Sequence, residues 1–199
     1  LAGDYPWDGS IDLTVTECPG APVELAVRLP AWCSHPAVRV NGEPVELTGA
    51  IRSGYAVLQR TWSRGDTVRI DLPMEAQRIV ASPLVEADDG RVAVQRGPLV
   101  YCLEAADNGT NLHAAVLDAD PDFRAEHREG FLGGVTVITA AGRLLPEAAG
   151  RGAPLYSAEA GPPSLTPDRL TFIPYYSWAN REAGEMIVWV RDGRTAAGL

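Results

Sequence analysis

The sequence predicts an all-β protein made of two consecutive antiparallel β-sandwich domains of jelly-roll type. Three observations lead there. Short segments alternate apolar and polar residues with the period of two that marks a half-buried strand. Turn residues separate these segments about every 8–12 positions, the spacing of sandwich folds. Helical periodicity is absent from the first half.

The elements follow in order. Tyr5-Pro-Trp-Asp-Gly9 places turn residues around two large aromatics, after which Ile11, Leu13 and Val15 alternate with Asp12, Thr14 and Thr16. Cys18-Pro-Gly-Ala-Pro22 is a turn, and Val23 to Leu29 alternates again through Leu25 and Val27. Val38-Arg-Val40 leads into Asn41-Gly42, the strongest short hairpin signal, with Pro44 to Leu47 as the return strand. Gly54 to Leu58 is another strand, followed by Trp62 and the turn Ser63-Arg-Gly-Asp66. Val68, Ile70 and Leu72 close this series with clean alternation.

Arg91 to Glu104 divides the chain. Val92 and Val94 alternate with Ala93 and Gln95, Arg96-Gly97-Pro98 interrupts, and Leu99 to Leu103 is almost wholly apolar. The second run is therefore expected to be covered on both faces, ending the first sandwich and leading into the next. Ala105 to Thr110 reads as a linker, which gives domains at residues 1–107 and 108–199. In the smaller second domain, strands are expected at Leu112–Leu117, Gly133–Thr139, Leu170–Ile173 and Met186–Val190, with loop over most of 140–164. Pro174 to Arg181 should leave the sheet, because proline cannot donate to a ladder, and pack its rings on the first domain or on a domain outside this chain.

Composition limits the partners. With 199 residues, 46% hydrophobic and 22% charged, the chain is an ordinary globular one with enough length for one large or two small cores. A net charge of -9 argues against nucleic acid or an anionic membrane, which favour a basic face. No lysine occurs, so arginine carries the side-chain cations, as in the codon usage of a GC-rich bacterial genome. No apolar run of about 18 residues and no leader is visible, and the start at Leu1 reads as a piece of a longer protein. Location stays open between cytoplasmic and secreted.

Chemistry-bearing residues are sparse. Cys18, Cys33 and Cys102 are odd in number and widely spaced, which suggests buried free thiols, with a Cys18–Cys33 bridge as the alternative in an exported protein. Asp118, Asp120, Asp122, Glu126 and Glu129 fall at positions 1, 3, 5, 9 and 12 of a calcium loop, but Phe123 stands where that loop needs glycine. The competing reading is an acidic surface loop. His35, His113 and His127 lack partners at ligand spacing, and neither a nucleophile elbow nor a phosphate-binding glycine loop is present. Asn108-Gly-Thr110 fits a glycosylation sequon. The aromatics are the best functional hint: Trp7 and Trp32 in the first half, and Tyr175, Tyr176 and Trp178 in the second. They are candidates for a glycan-stacking surface or for a buried interface between domains.

Taken together, Tyr5-Pro-Trp-Asp-Gly9, Leu29-Pro-Ala-Trp32, Val40-Asn-Gly-Glu-Pro44, Gly54-Tyr55, Gly65-Asp66 and Arg96-Gly-Pro-Leu-Val-Tyr-Cys102 resemble the C-terminal region of glycoside hydrolase family 127, the β-L-arabinofuranosidase-like enzymes. Phe131-Leu-Gly-Gly134, Ile173 to Arg181 and Met186-Ile-Val-Trp-Val190 extend the resemblance over nearly the whole chain. It implies a catalytic α/α barrel in cis, followed by two β-sandwiches. It also implies a zinc-bound cysteine nucleophile, held through a Glu-x-Cys motif and a Cys-Cys pair. Neither motif is in this chain, since Glu17 and Cys18 are direct neighbours and no two cysteines adjoin. No catalytic, cofactor or metal residue carries over, and zinc is expected only in the missing barrel. Two roles follow: an accessory region that supports the barrel and contributes to a homodimer, or a binding module for a plant-type glycan.

Overall fold

The structure is a computed structural model and describes residues 1–144, Tyr156, Ala158 and 165–195. Among the described residues it is nearly all β, with antiparallel pairing except for one pair of short strands. No helix among the described residues is long and apolar enough to cross a membrane. The chain divides into two compact units, Leu1–Glu75 and Ala76–Leu199.

In the first unit, β1 (Ser10–Thr14), β7 (Thr67–Asp71), β3 (Ala37–Val40) and β4 (Glu43–Pro44) form one sheet in the order β1-β7-β3-β4. The other sheet orders β2 (Pro22–Arg28), β6 (Tyr55–Thr61) and β5 (Ile51–Arg52) as β2-β6-β5. Alternation decides which side chains go inside. Val38, Val40, Val68 and Ile70 from the first sheet join Val27, Ala56 and Leu58 from the second in one buried cluster. The hairpin expected at Asn41-Gly42 forms, both residues having positive φ (52° and 84°), as a tight two-residue turn requires. Its return strand covers only Glu43–Pro44 rather than running to Leu47. Gly9 is dictated by space, since a Cβ there would lie 1.8 Å from the Leu72 carbonyl oxygen.

The second unit departs from the expected sandwich. Its strands are β8 (Ala76–Val80), β9 (Arg91–Arg96), β10 (Leu99–Glu104), β11 (Val116–Leu117), β12 (Arg124–Arg128), β13 (Val135–Leu144), β14 (Thr166–Pro174), β15 (Met186–Ile187) and β16 (Val190–Asp192). Pairing runs β10-β14-β13-β11-β16-β9, and β9 pairs back onto β10, closing a ring of six strands. A closed ring leaves none of these six with a free edge over its paired length. Alternate residues fill the interior, with Val92, Val94, Tyr101, Leu103, Ile138, Ala140, Leu170 and Phe172 all in one core. Gly142 leaves no room for a side chain, because a Cβ would lie 2.6 Å from Leu170 Cδ1 and 2.7 Å from the Val116 carbonyl oxygen.

The boundary expected at residue 107 is displaced to Glu75–Ala76. The apolar runs around Gly97-Pro98 are the two arms of one hairpin, with Arg96 opposite Leu99, and both arms belong to the ring. Strands on either side of residue 107 also share a sheet, Tyr101 lying opposite Pro174. The segment read as a linker is a short helix, α1 (Ala105–Asn108), and it is pinned. Asn108 donates Nδ2 to the carbonyls of Glu104 (3.0 Å) and Thr171 (2.9 Å), while its Oδ1 accepts the Thr171 N–H at 2.8 Å. A polar Asn-Gly segment thus serves a side-chain lock between β10 and β14, a pattern that composition cannot separate from a linker. The loop expected over 140–164 is partly strand, since β13 continues to Leu144; residues 145–155, 157 and 159–164 lie outside the described residues. Leu112–Ala114 is a 3-10 turn, so that only Val116–Leu117 of the expected strand forms.

Candidate functional site

β10 ends in a charge. Leu103 faces the barrel interior, so Cys102 and Glu104 face outward, yet both are buried, at 0% and 4% exposure. What covers Glu104 is the segment after β14. That strand stops at Pro174, the chain makes a 3-10 turn over Tyr175–Ser177, and Ala179 takes a left-handed φ of 61°. This conformation is uncommon for alanine, and it aims the Ala179 N–H at Glu104 Oε1, 2.9 Å away.

Arg181 completes the arrangement. Its Nε donates to Glu104 Oε2 at 3.1 Å, Nη1 donates to Asp107 Oδ1 at 2.8 Å, and Nη2 reaches both carboxylates. The guanidinium also lies 5.1 Å from the centre of the Phe131 ring. Hydrogen bonding to Asp107, and then to Glu104, raises the Arg181 pKa, so the cation is permanent. Burial, with the charges of Glu104 and Asp107 behind it, pushes the neighbouring Cys102 thiol up to about 12. On the interior side of the same strand, burial lifts the Tyr101 hydroxyl to about 12, against the pull of Arg96. Every charged group in the cluster is engaged by another. It is a clamp, and what it holds is the turn above it.

That turn carries the predicted aromatics. Tyr175, Tyr176 and Trp178 are 45%, 50% and 39% exposed, and the Tyr175 and Trp178 rings lie 6.3 Å apart at 36°. The segment leaves the sheet at Pro174, as its proline predicts, but its rings stay half exposed. Asn180 Nδ2 is taken up by the carbonyls of Ser177 and Trp178. Trp7 and Trp32 belong to the first unit: Trp7 is 40% exposed beside the opening turn, and Trp32 packs partly buried against that unit's core. Trp62 lies in the same core with its indole N–H on the Val23 carbonyl at 3.1 Å.

Glu104 and Asp107 escape a reading of the sequence because one closes an apolar run and the other sits in what looks like a linker. The only signal was Arg181, a charge in an aromatic segment that needs a partner if buried. The acidic loop has a different use from the one its spacing suggests. Asp118 Oδ1 accepts from Arg143 at 3.1 Å, and Asp122 pairs with Arg124 (2.7 Å) and Arg169 (3.5 Å). Among the described residues no group of metal-ligating side chains converges. The cysteines are free, and Cys18 is exposed rather than buried like Cys33 and Cys102. The sequon asparagine, Asn108, has its amide engaged with β14.

Comparison with known proteins assigns the two units separately. The family model described as "Beta-L-arabinofuranosidase, GH127 middle domain" matches residues 1–74, and "Glycoside hydrolase family 127 C-terminal domain" matches residues 76–191. The non-reducing end β-L-arabinofuranosidase of Bifidobacterium longum is 36% identical over 94% of this chain, which spans 29% of that protein. The crystal structure of a GH127 β-L-arabinofuranosidase from Geobacillus stearothermophilus superposes with a TM-score of 0.89 at 41% identity, over 96% of this chain and 30% of that one. A further GH127 β-arabinofuranosidase structure gives 0.82 at 33% identity, over 98% and 31%. Both units are therefore accounted for, in order and almost end to end, and this chain belongs to glycoside hydrolase family 127 as a partial chain spanning its middle and C-terminal domains.

Proposed function

We propose that this chain is the non-catalytic accessory region of a glycoside hydrolase acting on arabinofuranoside-containing glycans, and that it supports a catalytic α/α barrel in cis. The supporting observation is one of coverage. Middle and C-terminal family domains occupy residues 1–74 and 76–191, while the relatives are about three times longer. In this reading the reaction belongs to the remaining two thirds, and zinc with it. The two sheets around one core in the first unit fit a sandwich scaffold, and the second unit is a closed ring of six strands.

The full-length parent and the chain of residues 1–199 should be assayed side by side on an aryl β-L-arabinofuranoside, with metal analysis of both. The parent is expected to turn over and to hold zinc, and the chain alone to do neither. Clear turnover by the chain alone would overturn the assignment.

A second reading, a glycan-binding module, draws on Tyr175, Tyr176 and Trp178, each about half exposed. Titrating the protein with arabinose-containing oligosaccharides while following tryptophan fluorescence tests it, and saturable quenching lost in Trp178→Ala would establish it.

A further inference from the structure

We infer that the turn from Tyr175 to Arg181 is a preformed docking knob whose occupant is the catalytic domain of the same polypeptide. The inference rests on the accessory reading above and adds the surface through which support is delivered.

Three features of the turn point to this. First, it is held from below by side chains of its own unit. Glu104 fixes the Ala179 N–H, Arg181 joins Glu104 to Asp107, and Asn180 ties the carbonyls of Ser177 and Trp178. A side chain network this complete presents the rings in one geometry, so little conformational entropy is left to lose on binding. Second, the presented surface is dominated by three aromatic rings, and the charged groups beneath it are turned to one another. A sugar site needs convergent polar groups to match hydroxyls along with its rings. Here Arg181, Glu104, Asp107 and Asn180 already serve the turn, and the Tyr175 and Trp178 rings are tilted by 36° rather than coplanar.

Third, the area fits a contact in cis. Three half-exposed rings offer on the order of 300 Å², well below the ~800 Å² per partner of a standard interface between separate chains. A patch of that size holds a partner when a covalent connection supplies a high effective concentration. The relatives are about three times the length of this chain, so a domain of sufficient size to cover the turn belongs to the same polypeptide in each of them.

Hydroxyl-radical footprinting of the full-length parent tests the inference, with Tyr156, 94% exposed, as the internal reference. If the knob is covered, Tyr175 and Tyr176 are oxidised several-fold more slowly than Tyr156. If they react at about half its rate, as their own exposure of 45% and 50% dictates, the inference fails. Protection that appears only on adding an arabinose-containing oligosaccharide, or that grows with protein concentration, also overturns it, in favour of a glycan or a second copy. In the same parent, Trp178→Ala is expected to lower the melting temperature while the Glu104–Arg181 clamp stays in place. Failure of the accessory reading registers elsewhere: a parent lacking residues 1–199 that keeps full activity and stability would refute that reading whatever the footprint shows.

Discussion

Glu104 and Arg181 are 77 positions apart in sequence and share a buried ion pair, Nε to Oε2 at 3.1 Å, with the Glu104 side chain 5% exposed. Desolvating such a pair is costly, and its stability depends on both partners being present. Arg181→Met leaves a buried carboxylate with no cation and is expected to cost about 3–5 kcal/mol. The double variant Glu104→Gln with Arg181→Met removes both charges of this pair, leaves Asp107 without its cation, and should recover part of that loss. Urea midpoints of the two variants check the prediction. If the single and double variants unfold together, the pair is not the element that holds the turn.

Two glycines test how far backbone contacts dictate the sequence. A Cβ at Gly9 would meet the Leu72 carbonyl oxygen at 1.8 Å, while one at Gly130 meets nothing within 4 Å. The Leu72 carbonyl follows directly on β7, and the Leu72 N–H is bonded to the Gly9 carbonyl at 2.9 Å, so this backbone cannot swing aside as a side chain can. Gly9→Ala is expected to cost at least the ~1–3 kcal/mol of an overpacked core, and Gly130→Ala should be neutral within about 0.5 kcal/mol. Thermal denaturation of both variants decides. Equal melting temperatures would mean that the opening turn is softer than its packing implies.

Much of this fold was legible because alternation is a local property. Val68, Ile70, Val92 and Val94 point inward as their spacing predicts, and Asn41-Gly42 turns as its φ requirements predict. Ring closure was not legible, since it depends on β11 and β16, strands of two and three residues that pair in parallel across some seventy positions of chain. The strands Ala76–Val80 and Arg124–Arg128 were missed as well, because they carry mostly polar or half-buried residues and no apolar face. The site was half legible. Its aromatics could be named from sequence, whereas Asp107 acquires meaning only when α1 carries it beneath Arg181.

Thiol chemistry separates the three cysteines. Cys18 is exposed and Cys33 and Cys102 are buried, so the native chain should take up one equivalent of a thiol reagent quickly and the other two only on unfolding. Cys102 adds a pH dependence. Its folded pKa is raised from 9.0 to about 12, so the folded state keeps the proton longer than the unfolded one. The corresponding stability is present in full below pH 9 and is lost as pH rises toward 12. Tyr101, raised from 10.0 to about 12, acts in the same direction. Cys102→Ala should flatten part of the alkaline decline in urea midpoint between these limits; an unchanged slope would show that the thiol ionises without cost in the folded protein.

The placement of the boundary makes the sharpest distinction between sequence and structure. A fragment of residues 108–199 lacks β9 and β10, which close the ring and supply Val92, Val94, Tyr101 and Leu103 to its core. It would leave the β14 and β16 edges open and the interior uncovered on one side, a state that favours aggregation over folding. A fragment of residues 76–199 keeps the ring, the Asn108 lock and the Glu104–Arg181 clamp. The longer fragment is therefore expected to give dispersed amide resonances and a cooperative melt, and the shorter one neither. Asn108→Ala in the longer fragment should cost about 1–3 kcal/mol, because it strips partners from the Thr171 N–H and two carbonyls. A linker residue would tolerate the change. A folded 108–199 fragment, or a silent Asn108→Ala, would return the boundary to the polar segment near residue 107.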